Sequence, residues 1–284
     1  MSRVRLAAID AWSPPLVRAA WLNIALLIGT LVGLLIDPRV IAGAPAWLKP
    51  AKFCISVAVY LLTIAWMVRD LPRTRMLRVV TTAIAWIISA EVLLIMLQAA
   101  RGTLSHFNVD TAFDAAIFSS MGVGIATVWV CTMVILWIHW RTPARDRTMA
   151  LACRLGLLLQ IAGAGIGWTM TRPFPGQTEA LQHGVRPLVI GAHTVGARDG
   201  GPGLPITRWS TEHGDLRIAH FVGMHALQIL PLLLLAFRSV RGSAHEMFER
   251  VLLLSTSAAY AAFVVMLLVQ ALHGHPFLSL FRSQ

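Results

Sequence analysis

Long apolar runs alternate with short arginine-bearing connections along this chain. Seven runs stand out, near 16–36, 51–69, 78–99, 115–138, 149–171, 218–237 and 251–272. A helix needs about 20 apolar residues to cross a bilayer, and each run is close to that length. The pattern predicts an all-α integral membrane protein, a seven-transmembrane helix bundle, with 1–284 as a single polytopic membrane domain. One connection, 172–217, is too long for a plain link. Within it RPLVIGAHTVG, ARDGGPG and LPITRWS read as strand, turn and strand, with the glycines and proline supplying the turn chemistry. A short external β-hairpin is expected there, before the sixth span and over the outer mouth of the bundle.

Composition agrees with the pattern. The chain is 57% hydrophobic and only 13% charged, against roughly 25% charged in soluble domains, so no sizeable soluble domain is left over. The opening MSRVRLAAIDAWSPP lacks an apolar signal-peptide core before Asp10 and Pro14, and no cleavage is expected. A net charge of +11 raises nucleic acid as a partner, but the arginines sit in the connections and read as topology instead. Arg3, Arg5 and Arg18, then Arg69, Arg73, Arg75 and Arg78, then Arg141, Arg145 and Arg147, then Arg238, Arg241 and Arg250 all fall on one side. The short connections opposite hold Arg39, Lys49, Lys52 and Arg101. The N-terminus is therefore expected in the cytoplasm and the C-terminus outside, in a bacterial inner membrane. On that topology His139 and His245 belong to the cytoplasmic face. Cys54, Cys131 and Cys153 lie inside spans and make no disulfide framework or Cys-x-x-Cys pair.

Polar residues recur at helical spacing within the spans. Asn23, Thr30 and Asp37 share a face of the first. Lys49, Lys52, Ser56, Tyr60 and Thr63 share one of the second, and Glu91 and Gln98 one of the third. Ser120, Gly124, Thr127 and Cys131 line the fourth, Gln160, Gly167 and Thr171 the fifth, and Thr256, Tyr260 and Gln270 the seventh. Small and hydroxyl residues let transmembrane helices approach, and Gly163 and Gly167 form a GxxxG pair of that kind. Glu91 stands apart. It lies mid-span with no Lys or Arg within a turn of its own helix, and an intramembrane carboxylate marks a functional site by default.

The densest ionisable stretch is GLPITRWSTEHGDLRIAHFVGMHALQILP, 203–231, which opens the sixth span. At about 1.5 Å per residue, His225 lies about 7 Å and Gln228 about 12 Å deeper than His220. The topology puts this stretch on the outer side together with WLKPAKF and QAARGTLSHFNVD. Lys49 and Lys52 are the only lysines in the chain.

Three functions fit. The first is a membrane-embedded metal- or haem-dependent enzyme of oxidoreductase type, with a zinc hydrolase as a subtype. Imidazole ligates both metals and haem. His106, His220 and His225 are the candidate ligands for haem b or for Fe, Cu or Zn. Glu91, Gln98, Asp215 and Gln228 are the candidate catalytic and proton-handling groups. Lys49, Lys52, Arg101, Arg217 and Trp209 would hold a small-molecule or lipid substrate arriving from the periplasmic side. The second is a proton-coupled or anion transporter or channel using Glu91. The third is an accessory subunit of a membrane complex. Beyond the lipid bilayer, the expected partners are a second copy of the chain or a membrane complex, and not nucleic acid.

Overall fold

The structure is a computed structural model that describes residues 12–241 and 246–281; Arg3, Arg5 and His245 lie outside them. Seven helices are long and apolar enough to cross a membrane. They are α1 (Pro14–Ile36), α2 (Leu48–Val68), α3 (Arg75–Arg101), α4 (Ala112–Arg141), α5 (Arg147–Met170), α7 (Leu216–Arg241) and α8 (Glu246–Leu272). A short α6 (Pro175–Gln182) and a 3₁₀ turn (Phe277–Phe281) complete the helices. Each observed span contains or closely overlaps its expected run, so apolar length alone located all seven. The chain is a multi-pass membrane protein.

Local chemistry sets the helix ends. Pro14 opens α1, where a missing N–H costs nothing. The Thr74 hydroxyl accepts the Leu77 N–H at 3.1 Å to cap α3. At the other end of α3, Gly102 adopts φ 77° and donates its N–H back to the last turn, a left-handed stop that favours glycine.

The described residues form two compact units. The first comprises residues up to Cys131 together with Thr171–Ala192. In it α1 packs mainly on α2 and also on α3. Asn23 donates to the Ser89 hydroxyl at 2.9 Å in the α1–α3 seam. Between α1 and α2 a two-residue hairpin forms, with β1 (Val40–Ile41) antiparallel to β2 (Ala44–Pro45).

The second unit comprises Thr132–Met170 and the described residues from His193 onward. Its core is the α5–α7 pair, backed by α8. The GxxxG expectation is met here. A Cβ on Gly163 would overlap the Gly223 backbone, and one on Gly167 would press on the His220 ring. Glycine is required at 163 because two helix backbones touch there.

Two expectations change. The polar stripe of α4 does not face inward: Ser120 and Thr127 are exposed and return their hydroxyls to Ile117 and Val123 carbonyls of their own helix. The strand–turn–strand expected over 186–210 takes another form. β3 (Thr194–Val195) pairs antiparallel with β4 (Gly214–Asp215), and 203–210 is a separate loop closed by a Gly203–Ser210 bridge. The cause is Asp199. Its carboxylate accepts the backbone N–H of His193 and Thr194 and the His193 imidazole N–H, curling 193–199 back on itself instead of extending it.

Candidate functional site

The first unit holds a line of titratable groups. Glu91 lies in α3 and is only 8% exposed. Its carboxylate accepts no hydrogen bond from any described residue, and Lys49 is the cation whose charge acts on it. Gly124 of α4 sits beside Glu91 Oε2, and a side chain there would touch it. Lys49, at the start of α2, places Nζ 3.2 Å from His106 Nδ1. An ammonium only donates, so this nitrogen accepts, and the Ser105 hydroxyl reaches the same atom at 3.1 Å. The imidazole is then neutral, with its proton on Nε2. Phe53 packs 6.0 Å from the His106 ring and also lies under Lys49 Nζ. Lys52, one turn on, is half-buried. The order from the helix ends inward is His106, Lys49, Glu91.

Gln98 and Arg101 belong to a different assembly at the same end. Buried Gln98 donates to Asp114 at 2.8 Å, and Arg101 forms an ion pair with Asp114 at 2.5 Å while also bonding the Gln98 carbonyl. Thr111 donates to the second Asp114 oxygen at 2.6 Å. Arg101 also stacks over Phe113. Nearby, Arg39 reaches the Ala100 carbonyl at 3.0 Å, at the negative end of the α3 dipole. The Arg39 guanidinium and the Trp47 indole hold the Asp37 carboxyl well below the usual carboxylate range. These saturated groups fasten α3 to its neighbours. Gln98 and Arg101, expected in catalysis and substrate binding, are placed in that fastening. Asp114 is the residue of this assembly that polar spacing within the spans does not reveal; its signal is Thr111-x-x-Asp114 ahead of an apolar run, a helix-start signature.

Two segments of the unit close over this end. Val109 and Ile190 donate to Leu188 and Phe107 carbonyls at 3.0 and 2.9 Å. The Gln177 amide is bonded in both directions to Gly191. Phe107, next to His106, is held at φ 65°, a left-handed conformation uncommon for a bulky residue.

In the second unit the stretch before α7 builds a cavity of about 210 Å³. Arg198, Arg208 and Arg217 line it, with Ser210, Glu212 and His213. Asp215, 1% exposed, organises its wall. One carboxylate oxygen takes the Arg217 N–H and Nε, the other takes Arg217 Nη2 and the Ser210 N–H. Asp215 is therefore the N-cap of α7 as well as an ion-pair partner. Arg217 Nη2 also bonds the Arg208 carbonyl at 2.6 Å. Ile206 and Arg208 adopt φ 64° and 59°. For β-branched Ile206 that is strain, of the kind stored around working sites. Trp209 does not line the cavity. It packs edge-on against Phe221 at 5.5 Å, over the cluster of Ile166, Ile218, Ala219 and Leu267. The His193–Asp199 pair lies in the same segment. Burial alone would push the Asp199 carboxyl up, but the His193 imidazole and backbone donors outweigh it and hold the group well below its usual range.

His220 and His225 point to different partners. His220 Nδ1 lies 2.8 Å from the Gly163 carbonyl, which can only accept, so Nδ1 carries the proton. His225 Nδ1 contacts Gln228 Oε1 at 3.2 Å, and its ring packs 4.2 Å from Phe221. His106 belongs to the first unit and His220 and His225 to the second. Among the described residues, no three of His, Cys, Asp and Glu are grouped as a metal-binding set. Compared with family models, curated proteins and solved structures, the chain matches none.

Proposed function

We propose that the protein is a proton-linked membrane carrier for a small anionic solute, with Glu91 as the proton-exchanging group. Glu91 carries the reading: a carboxyl deep in an apolar span with no hydrogen-bond donor committed to it. An ionisable group inside a membrane span is a functional-site hypothesis by default. Lys49 and His106 are in contact with each other, and the Lys49 charge acts on Glu91, so these are the groups nearest to hand for passing a proton to it. Arg198 and Arg208 line the cavity before α7 against one lining carboxylate, Glu212, while Arg217 is paired with Asp215, and this excess of guanidinium groups suits a carboxylate or phosphate. The test is uptake of radiolabelled phosphate or succinate into proteoliposomes under an imposed pH gradient. Uptake that follows the gradient supports the reading. Absence of uptake across a panel of such anions counts against it.

A second reading, the metal- or haem-dependent oxidoreductase, has one observation in its favour. The Gly163 carbonyl fixes His220 with Nδ1 protonated and Nε2 as the nitrogen with a lone pair, the orientation that metal-bound imidazoles commonly have. Absorbance and metal content of purified wild type beside His220→Ala decide it. A Soret band or stoichiometric metal lost in the variant supports it, and a blank spectrum with no metal removes it.

A further inference from the structure

A second cavity in the second unit lies at the opposite end of its helices from the 193–217 segment. It has a volume of about 580 Å³. It is lined by Arg141 at the end of α4, Arg147 and Arg154 on α5 and Arg250 on α8. No carboxylate is in its lining. Trp140, Leu151 and Leu254 give it an apolar wall.

The four arginines have different commitments. Arg154 donates Nε and Nη2 to the His139 carbonyl at 3.0 and 2.6 Å, closing the end of α4. Arg141 lies over the Trp137 ring. Arg250 pairs with Glu246 through one terminal nitrogen at 2.7 Å. Its Nε, however, is buried with no hydrogen-bond partner. Arg147 makes no ion pair or hydrogen bond among the described residues through its exposed side chain. The nearby acids are used elsewhere: Asp146 and Glu249 both bind Arg238, at 2.5 and 2.6 Å. Arg238 holds the Asp146 carboxyl below its usual range. The cavity therefore keeps a surplus of guanidinium donors, one of them buried and unsatisfied.

Guanidinium forks match the oxygens of a phosphate. The ligand could be a lipid headgroup or a soluble phosphate, and the wall decides between them. Trp140 and Leu254 are 55% and 50% exposed, at the end of helices long enough to span a membrane. Exposed tryptophan at that level is the mark of the bilayer interface. A phosphodiester held by the arginines would lay its acyl chains along Trp140, Leu151 and Leu254. We propose that the cavity at the ends of α4, α5 and α8 binds the phosphate of an anionic membrane phospholipid.

The test is native mass spectrometry of the full chain in mild detergent, titrated with phosphatidylglycerol or phosphatidylcholine. Phosphatidylglycerol should be retained and phosphatidylcholine lost at the same activation energy. Removing charge by R141Q/R147Q should weaken retention, by roughly fivefold per arginine. The R141K/R147K variant should retain most of it. Arg147→Gln alone removes a side chain with no described polar contact, so its folding is safe and it should still show the single step. Equal retention of the two lipids, or undiminished phosphatidylglycerol binding in R141Q/R147Q and R147Q, overturns the proposal. Displacement of bound lipid by millimolar glycerol phosphate or inorganic phosphate as readily as by excess phosphatidylglycerol would also overturn it, in favour of a soluble ligand.

Discussion

Asp215 and Glu91 are both buried carboxylates, and they have opposite surroundings. Asp215 is 1% exposed and receives donors from Arg217 and Ser210 on both oxygens. Glu91 is 8% exposed and receives no hydrogen bond among the described residues. A saturated carboxylate builds structure, because its charge is already spent on fixed partners. An unsaturated one is free to change its protonation state without dismantling a network. Burial is similar in the two, and the number of donors on each carboxylate is what separates them. Asp114, with Gln98, Arg101 and Thr111 around it, falls on the structural side by the same test.

The largest effect should come from breaking the saturated member. Asp215→Ala leaves Arg217 without its ion-pair partner and α7 without its cap; with the Arg217 side chain partly exposed, the loss should be roughly 2–4 kcal/mol. Thermal unfolding in detergent should show it, and loss of protection in 193–217 by hydrogen exchange should localise it. Glu91→Gln should cost under about 1 kcal/mol, as expected where no specific interaction is removed. If Glu91→Gln proves as damaging to stability as Asp215→Ala, the contrast fails.

Next in size is Gly163→Ala, a control on the scaffold. Its methyl would overlap the Gly223 backbone, and overpacking of this kind costs roughly 1–3 kcal/mol. The His220–Gly163 contact should weaken with it, which imidazole chemical shifts would report. An unchanged melting temperature would mean that α5 and α7 do not touch as described.

The smallest effect is on pH dependence. The folded state holds Asp199 below its usual range. Its contribution is therefore present above the unfolded carboxylate value, about 4, and is lost as pH falls toward the lower folded value. The protection factor of the Thr194 amide, the intrinsic exchange rate at each pH divided by the observed one, should fall below about pH 4 in wild type. In Asp199→Asn it should be low already at neutral pH and flat across the same interval. A flat wild-type profile would show that the carboxylate does not hold this turn.

The seven spans were legible because apolar length is a local property, and lipid-spanning helices satisfy their own backbone. The isolation of Glu91 was also legible, since no basic residue lies within a turn of it. Its actual neighbour, Lys49, comes from another helix, and helical spacing carries no such information. The same limit explains Gln98 and Arg101, whose partner Asp114 lies across the α3–α4 turn. The 193–217 segment was harder to read. Its glycines signal turns, but the fold of the turn depends on which backbone amides Asp199 captures. The position of Trp209 beside charged residues suggests ligand contact, yet its ring packs against Phe221.

The central claim is that Glu91 exchanges a proton during anion movement. It is tested most directly by proton entry into proteoliposomes carrying an internal pH dye, with phosphate or succinate added outside. Wild type should acidify the interior only when a transported anion is present, and Glu91→Gln at equal incorporation should show under about a tenth of that rate, a barrier increase of at least about 1.4 kcal/mol. Equal anion-dependent acidification by wild type and Glu91→Gln would contradict the account.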